Sequence, residues 1–111
     1  MADITYILSP NAQESLRNIK AYSFEQFGHE QTISYLKLIE KKLRMIAESP
    51  DMGRKRGEIK KGYLSFLAGA HVIYYRKARK HVDIIDILHQ SMGPYRHLDV
   101  KNYSPLFDFK T

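Results

Sequence analysis

Apolar residues recur along this chain with two different spacings, and the spacing changes near residue 60. Between Pro10 and Glu48 they fall three or four positions apart, which is typical of amphipathic helices. From Tyr63 onward they form short runs of branched and aromatic residues, which are typical of strands. The pattern therefore predicts helices followed by a sheet.

The helical part divides at Gly28. Ser9 is a good N-cap, Pro10 suits the first helical position, and Gly28 can end a helix by adopting a left-handed conformation. A second helix is predicted from about His29 to Glu48, because Pro50 cannot continue it. Two helices joined by so short a connection are expected to form an antiparallel hairpin.

The remaining segments predict strands before and after this hairpin in the sequence. A first strand is expected at residues 4–8, with Ile4, Tyr6 and Leu8 on one face. Later strands are expected at Tyr63–Leu67 and His71–Arg76, at Val82 to His89, and in a short piece near Ile59. Turns are predicted at residues 68–70 and 79–81.

Composition narrows the class of protein without choosing a function. The chain has 111 residues, a formal charge of +6 and no cysteine, so we expect one domain with neither disulfides nor a thiolate zinc site. The excess of cations favours acidic partners. No apolar run reaches the ~20 residues of a membrane span, and the first residues do not resemble a secretory signal. We therefore expect a cytoplasmic protein.

Four features occur in a fixed order along the chain: the helical hairpin, the exit Pro50-Asp51-Met52-Gly53-Arg54, a β-hairpin, and a last strand that ends Ile87-Leu88-His89. This order resembles the ParE/RelE superfamily of toxins. They are most similar to the ParE branch, from about residue 4 to residue 98. The resemblance implies an α+β fold, with the helical hairpin packed on one face of a small, mainly antiparallel sheet. It also implies a toxin domain at residues 1–98 and a C-terminal extension at 99–111.

ParE-like toxins belong to type II toxin–antitoxin pairs, so the resemblance implies three further expectations. The chain would bind DNA gyrase and block replication, acting through a protein interface rather than as an enzyme. An acidic, partly disordered ParD-like antitoxin would neutralise it by wrapping around it. No cofactor, metal, membrane or direct, specific nucleic acid binding is expected.

Two sets of residues are candidates for these contacts. Cations dominate the target-binding set: Arg54, Lys55, Arg56, Lys60, Lys61, Arg76, His89 and Arg96. The antitoxin-binding set comes from the apolar faces of the predicted helices: Leu16, Ile19, Tyr22, Leu36 and Leu43. The aromatic tail from Tyr103 to Phe109 is a candidate cover for the same apolar surface. The basic residues could equally form an ordinary solvated loop.

The alternative function is that of a RelE-like, ribosome-dependent mRNA endoribonuclease. Metal-free RNA cleavage needs a base, an acid and cationic clamps, which could be drawn from His89, Tyr95, Arg54, Lys60, Lys61 and Arg76. We favour a structural role for His89 and assign no catalytic residue. Asp83 and Asp86 are expected on opposite faces of the last strand. The five histidines, at positions 29, 71, 81, 89 and 97, show no metal-ligand spacing.

Overall fold

The computed structural model describes residues 5–94 and Leu98. The predicted first strand is present, followed by the helical hairpin and the sheet, so the α+β class is confirmed. In chain order the elements are β1 (Thr5–Leu8), α1 (Pro10–Phe27), α2 (His29–Glu48), the 3-10 turn Pro50–Met52, β2 (Arg54–Lys55), β3 (Tyr63–Ala68), β4 (His71–Lys77) and β5 (His81–His89).

The strands form one five-stranded sheet in the order β1-β5-β4-β3-β2. Strand β1 pairs with β5 in parallel, and every other neighbouring pair is antiparallel. A parallel pair needs a long crossover between its strands, and here both helices and three strands lie between β1 and β5. The sheet is mainly antiparallel, as predicted.

Helix α1 begins and ends where its sequence signals place it. The Ser9 hydroxyl accepts a hydrogen bond from the backbone N–H of Ala12 at 3.0 Å and donates one to the carbonyl of Ile85 at 2.7 Å. Ser9 therefore caps the helix and also ties it to β5. At the other end Gly28 has a φ of 88° and a ψ of 178°, a conformation that essentially only glycine adopts.

Each face of the sheet carries its own apolar cluster. On the helical side, Ile39, Leu43 and Ile46 of α2 pack with strand residues such as Ile73 and Tyr75. A second cluster contains Ile59, Tyr63, Tyr74, Ile85, Leu88 and Leu98. Leu98 is 1% exposed, so a residue near the end of the chain takes part in the packing of the sheet.

The predicted strand near Ile59 is wrong. The short second strand lies earlier, at Arg54–Lys55, and the chain from Gly57 to Gly62 consists of turns. The backbone N–H of Ile59 donates to the carbonyl of Arg56 at 3.0 Å, which closes a local turn that takes Ile59 out of any ladder. Ile59 reads as a strand residue because it is apolar, but its side chain is buried in the second cluster.

The first predicted turn is one residue shorter than expected, because strand pairing continues closer to the bend, and the second lies at residues 78–80, one position earlier than predicted. Ala68 pairs with His71, which leaves a two-residue turn at Gly69 and Ala70. Gly69 has a φ of 61°, and a side chain there would also collide with the ring of Tyr35. At the next connection β4 extends to Lys77 and His81 already belongs to β5.

Candidate functional site

An apolar groove runs between α1, α2 and β1, with a volume of about 480 Å³. We call it the hairpin groove. Residues lining it are Tyr6, Leu8, Leu16, Arg17, Lys20, Ile33, Leu36, Lys37, Ile39, Glu40 and Leu43. Three of these are cations and one is a carboxylate, so the groove combines an apolar lining with a positive rim.

The groove exists because part of the apolar surface of the hairpin is not used by the core. Ile39 and Leu43 are almost fully buried, at 1% and 2% exposure, and form its inner wall. Ile33, six residues before Ile39 on α2, is still 37% exposed. Burial raises the pKa of the Tyr6 phenol, and nearby Glu40 raises it further, so this ring stays neutral at the edge of the groove.

The predicted antitoxin-binding residues divide into two groups. Leu16, Leu36 and Leu43 all line the hairpin groove, so the structure brings them together. Ile19 and Tyr22 do not line it: Ile19 is 8% exposed within the core, and Tyr22 is 62% exposed elsewhere on α1. Along a helix, positions 16, 19 and 22 rotate steadily off one face, which explains the separation.

The basic loop, which we define as Gly53 to Gly62, is anchored at its start by Tyr75. The Tyr75 hydroxyl donates to the carbonyl of Pro50 at 2.8 Å and accepts from the backbone N–H of Gly53 at 3.0 Å. A Cβ at position 53 would overlap that hydroxyl, so glycine is required by close approach. Burial raises the pKa of the Tyr75 phenol. This contact explains the Pro-x-x-Gly spacing of the exit from α2.

The cations of the basic loop are not equivalent. Arg54, Lys55 and Lys61 are exposed. The Arg56 side chain is only 15% exposed: its Nε lies 2.7 Å from Glu58, its Nη1 donates to the Ser65 hydroxyl at 3.3 Å, and it lies over the Tyr74 ring. The hydrogen bond with Glu58 raises the pKa of Arg56 and lowers that of Glu58. Arg56 therefore has partners within the fold, which sequence reasoning missed because it counted charges without their partners.

Lys60 is half-buried and engaged with neighbouring groups. It is thus less open to a partner than the exposed cations of the same loop.

His89 lies in a small network at the start of β4. It is the cross-strand partner of His71, and their ring centroids are 5.3 Å apart. The Nδ1 atom of His71 lies 2.6 Å from the Tyr35 hydroxyl, while the Nδ1 of His89 lies 2.8 Å from the Ser91 hydroxyl. Burial, and to a smaller extent His89, lower the pKa of His71. Sequence reasoning missed this pairing, because 18 residues separate the two histidines.

Arg76 occupies the opposite end of the same strand pair. Its guanidinium lies 3.4 Å from one carboxylate oxygen of Asp83, and the other oxygen lies 2.8 Å from Nε2 of His81. Five residue steps separate Arg76 from His71, the partner of His89, which corresponds to about 17 Å along a strand. The structure therefore does not gather His89 and Arg76 into one centre. Arg96 and Tyr95 lie outside the described residues.

In the described part of the chain, neither the buried carboxylate nor the potential metal ligands form a further candidate site. Asp86 is fully buried, where it accepts a hydrogen bond from the Ser15 hydroxyl at 2.5 Å and one from the backbone N–H of Ile87. Within residues 5–94 and Leu98 there is no group of three or more potential metal ligands. Over the same residues no helix is both long and apolar enough to cross a membrane.

Comparison with solved structures identifies the fold. A solved structure described as "Chromosomal ParDE TA system from P. aeruginosa" matches with a TM-score of 0.68, covering 78% of this chain and 96% of that chain. Its sequence is only 15% identical, so this likeness establishes the fold alone.

Sequence comparison then identifies the family of the chain. The family described as "ParE toxin of type II toxin-antitoxin system, parDE" matches residues 6–94. Toxin ParE1 of Caulobacter vibrioides is 39% identical over 93 residues, which cover 84% of this chain and 96% of the relative. Toxin ParE1 of Mycobacterium tuberculosis is 34% identical over 94 residues, with the same coverage of both chains. This chain belongs to the ParE family of type II toxins.

Proposed function

We propose that this chain acts in the cytoplasm by binding DNA gyrase and blocking its cycle, and that an acidic ParD-like antitoxin neutralises it by occupying the hairpin groove. The observation that carries the proposal is the combination of family membership with an apolar groove rimmed by cations. The action on gyrase would be inhibition through a protein interface rather than turnover of a substrate.

The hairpin groove has the properties that an antitoxin segment requires. Its wall is formed by aliphatic residues of both helices, and Arg17, Lys20 and Lys37 line it against the single carboxylate of Glu40. An amphipathic segment could bury its apolar face here while its carboxylates meet the cations. A segment that orders on binding loses roughly 2–5 kcal/mol, so it would need contacts beyond one small pocket.

A charged substitution in the wall of the hairpin groove tests whether the antitoxin binds there. Ile33→Glu puts a carboxylate on a side chain that lines the groove and is 37% exposed, so the fold should tolerate it. We expect affinity for the antitoxin, measured by isothermal titration calorimetry, to fall at least about tenfold, because one buried aliphatic side chain contributes roughly 1.5–3 kcal/mol. Leu67→Glu is the matched control, since Leu67 is 57% exposed on β3. Equal affinity of both variants would remove the groove from the antitoxin interface.

Contact with gyrase is supported by the basic loop. Arg54, Lys55 and Lys61 present three exposed cations within eight residues. Exposed charges of one sign speed association with an oppositely charged partner, and salt weakens the effect. The separation of His89 from Arg76 also weakens any version of the ribonuclease alternative that uses both of these groups at one phosphate.

Supercoiling by purified gyrase, with and without this protein, tests the target directly. We expect inhibited supercoiling or trapped cleaved DNA. Codon-linked cuts in mRNA of a translating extract, with gyrase unaffected, would instead establish the ribonuclease alternative.

Variants then locate the contact surface. Replacing Arg54, Lys55 and Lys61 by Gln should weaken inhibition severalfold at low salt and less at high salt. Neutralising Arg79 and Lys80, which are exposed at the turn between β4 and β5, is the control. Unchanged inhibition by the triple variant would show that the basic loop is only a solvated surface.

His89→Ala distinguishes binding from catalysis. If His89 is structural, the folded variant should retain inhibition, apart from a small loss of stability. If His89 were a catalytic base, its removal would lower the rate about 10²–10⁴-fold. A complete loss of activity in a variant with an unchanged circular dichroism spectrum would therefore argue for an enzyme.

A further inference from the structure

The basic loop offers charge to a partner without offering it an apolar anchor. Arg54, Lys55 and Lys61, which we call the loop cations, are exposed. Ile59 is the one aliphatic side chain of the loop, and it is buried in the second apolar cluster. Protein interfaces draw most of their binding free energy from a few well-packed anchors, often aromatic, near the centre of the contact. A surface of cations and glycines suits a partner that is bound through its charge.

The carboxylates around the loop are already paired within the protein. Glu58, the one carboxylate of the loop, lies 2.7 Å from Nε of Arg56. Asp51, just before the loop, lies 2.6 Å from Nζ of Lys77. Among the described residues, no carboxylate forms an ion pair with any of the loop cations. Their three charges are therefore open to a partner from outside the protein.

The fold holds the loop cations together at one edge of the sheet. Strand β2 is the last in the sheet order and pairs with β3 through Arg54 and Lys55. Successive side chains of a strand point to opposite faces, so these two cations lie on either side of the edge. The backbone N–H of Arg56 donates to the carbonyl of Tyr63 at 2.8 Å, which closes the turn that carries Lys61. The three charges thus belong to one hydrogen-bonded β-hairpin.

Duplex DNA has the chemistry that this surface fits. Its backbone is a continuous row of phosphates, which lysine and arginine bind without reading the bases. Single strands are held in addition by aromatic side chains that stack on the bases, and the loop contains none. We infer that the loop cations bind the phosphate backbone of duplex DNA, independently of its sequence, and so attach this protein to the DNA on which gyrase acts. This inference rests on the proposed function and adds DNA as a second partner of the same loop.

Binding to DNA is measured without gyrase, by fluorescence anisotropy of a labelled duplex of about 20 base pairs and the full-length protein. The logarithm of the affinity should fall linearly with the logarithm of the salt concentration, with a slope of about −0.9 for each phosphate neutralised. The three loop cations should therefore contribute about −2.7 to the slope. That contribution alone is a loss of roughly 40-fold in affinity between about 50 and 200 mM salt.

Two triple variants with equal net charge locate the contact. Replacing the loop cations by Gln should lower the affinity for the duplex at least about tenfold at low salt and remove most of their contribution to the slope. The matched control replaces Lys20, Lys41 and Arg44, three exposed cations of the helical hairpin, by Gln. The control should keep the slope of the parent protein, and circular dichroism should show that both variants are folded.

Three results would overturn DNA binding by the loop. Equal losses in both triple variants would mean that the net charge, and not the loop, decides the affinity. Competition by poly-glutamate as strong as competition by unlabelled duplex of equal charge would make the loop a site for any acidic partner. If the loop variant binds DNA like the parent protein but no longer binds DNA-free gyrase in a pull-down, the loop contacts gyrase itself, and the proposed function stands.

The opposite result is equally distinct. If the loop variant loses DNA binding while the parent protein leaves supercoiling by gyrase unaffected, the loop binds DNA and the proposed function is wrong.

Discussion

Removing one oxygen atom from Tyr75 should loosen the exit from α2. The ring of Tyr75 is fully buried in the helical-side core, and Tyr75→Phe leaves that ring in place. What disappears is the hydroxyl that joins the carbonyl of Pro50 at 2.8 Å to the backbone N–H of Gly53 at 3.0 Å. The substitution therefore removes the contact between the 3-10 turn and β4, with little change in packing.

The expected loss of stability in Tyr75→Phe follows from the two hydrogen bonds that the hydroxyl makes. Each contributes roughly 0.5–1.5 kcal/mol net, and a buried group left without a partner costs roughly 1–3 kcal/mol. Because the hydroxyl's partners, Pro50 and Gly53, are only half-buried, water can partly satisfy them, and we expect a loss of about 2 kcal/mol in the free energy of unfolding. In a domain of this size such a loss lowers Tm by roughly 9 °C.

Thermal unfolding followed by circular dichroism measures the shift, and hydrogen exchange locates it. The amide of Gly53 should exchange faster in Tyr75→Phe, while the amides of α1 exchange at rates set by the lower global stability. Tyr22→Phe is the control, because Tyr22 is 62% exposed and its variant should stay within about 0.5 kcal/mol of the parent.

An unchanged Tm and an unchanged Gly53 exchange rate would refute this reasoning. Such a result would mean that the Pro-x-x-Gly exit is positioned by the chain itself and not by the tyrosine. A lower Tm without faster exchange at Gly53 would place the effect in the core instead.

Three further perturbations address the cap, the histidine pair and the basic loop. Ser9→Ala removes the N-cap of α1 and the bond to Ile85, so chemical denaturation should show a loss of about 1–2 kcal/mol; a loss below about 0.3 kcal/mol would contradict the cap. The pKa of His71 is lowered below its ordinary 6.5 in the folded state, so the unfolded chain binds more protons and stability should fall as the pH drops below about 6.5. The urea midpoint should therefore decline between pH 7.5 and 5.5, and His71→Asn should flatten that decline. Arg56→Gln should cost about 1–2 kcal/mol in a thermal melt through its lost contacts, whereas Lys61→Gln should be neutral.

Local signals in the sequence determined the helical hairpin to within a residue. Ser9, Pro10 and Gly28 act through their own backbone and immediate neighbours, so the bounds of α1 and α2 follow from properties that each residue carries by itself. The last strand, ending at His89, was also predictable, because branched apolar residues suit a buried strand wherever it pairs.

The functional surfaces depended on contacts between segments far apart in the chain. Arg54, Arg56 and Lys61 look alike in sequence, yet Arg56 alone of these three lies over Tyr74, a residue of a different strand. The hairpin groove likewise exists because β1 and both helices meet with part of their apolar surface left uncovered. A residue's type sets what its side chain can do locally, but only tertiary packing decides which charges find partners and which apolar faces stay open.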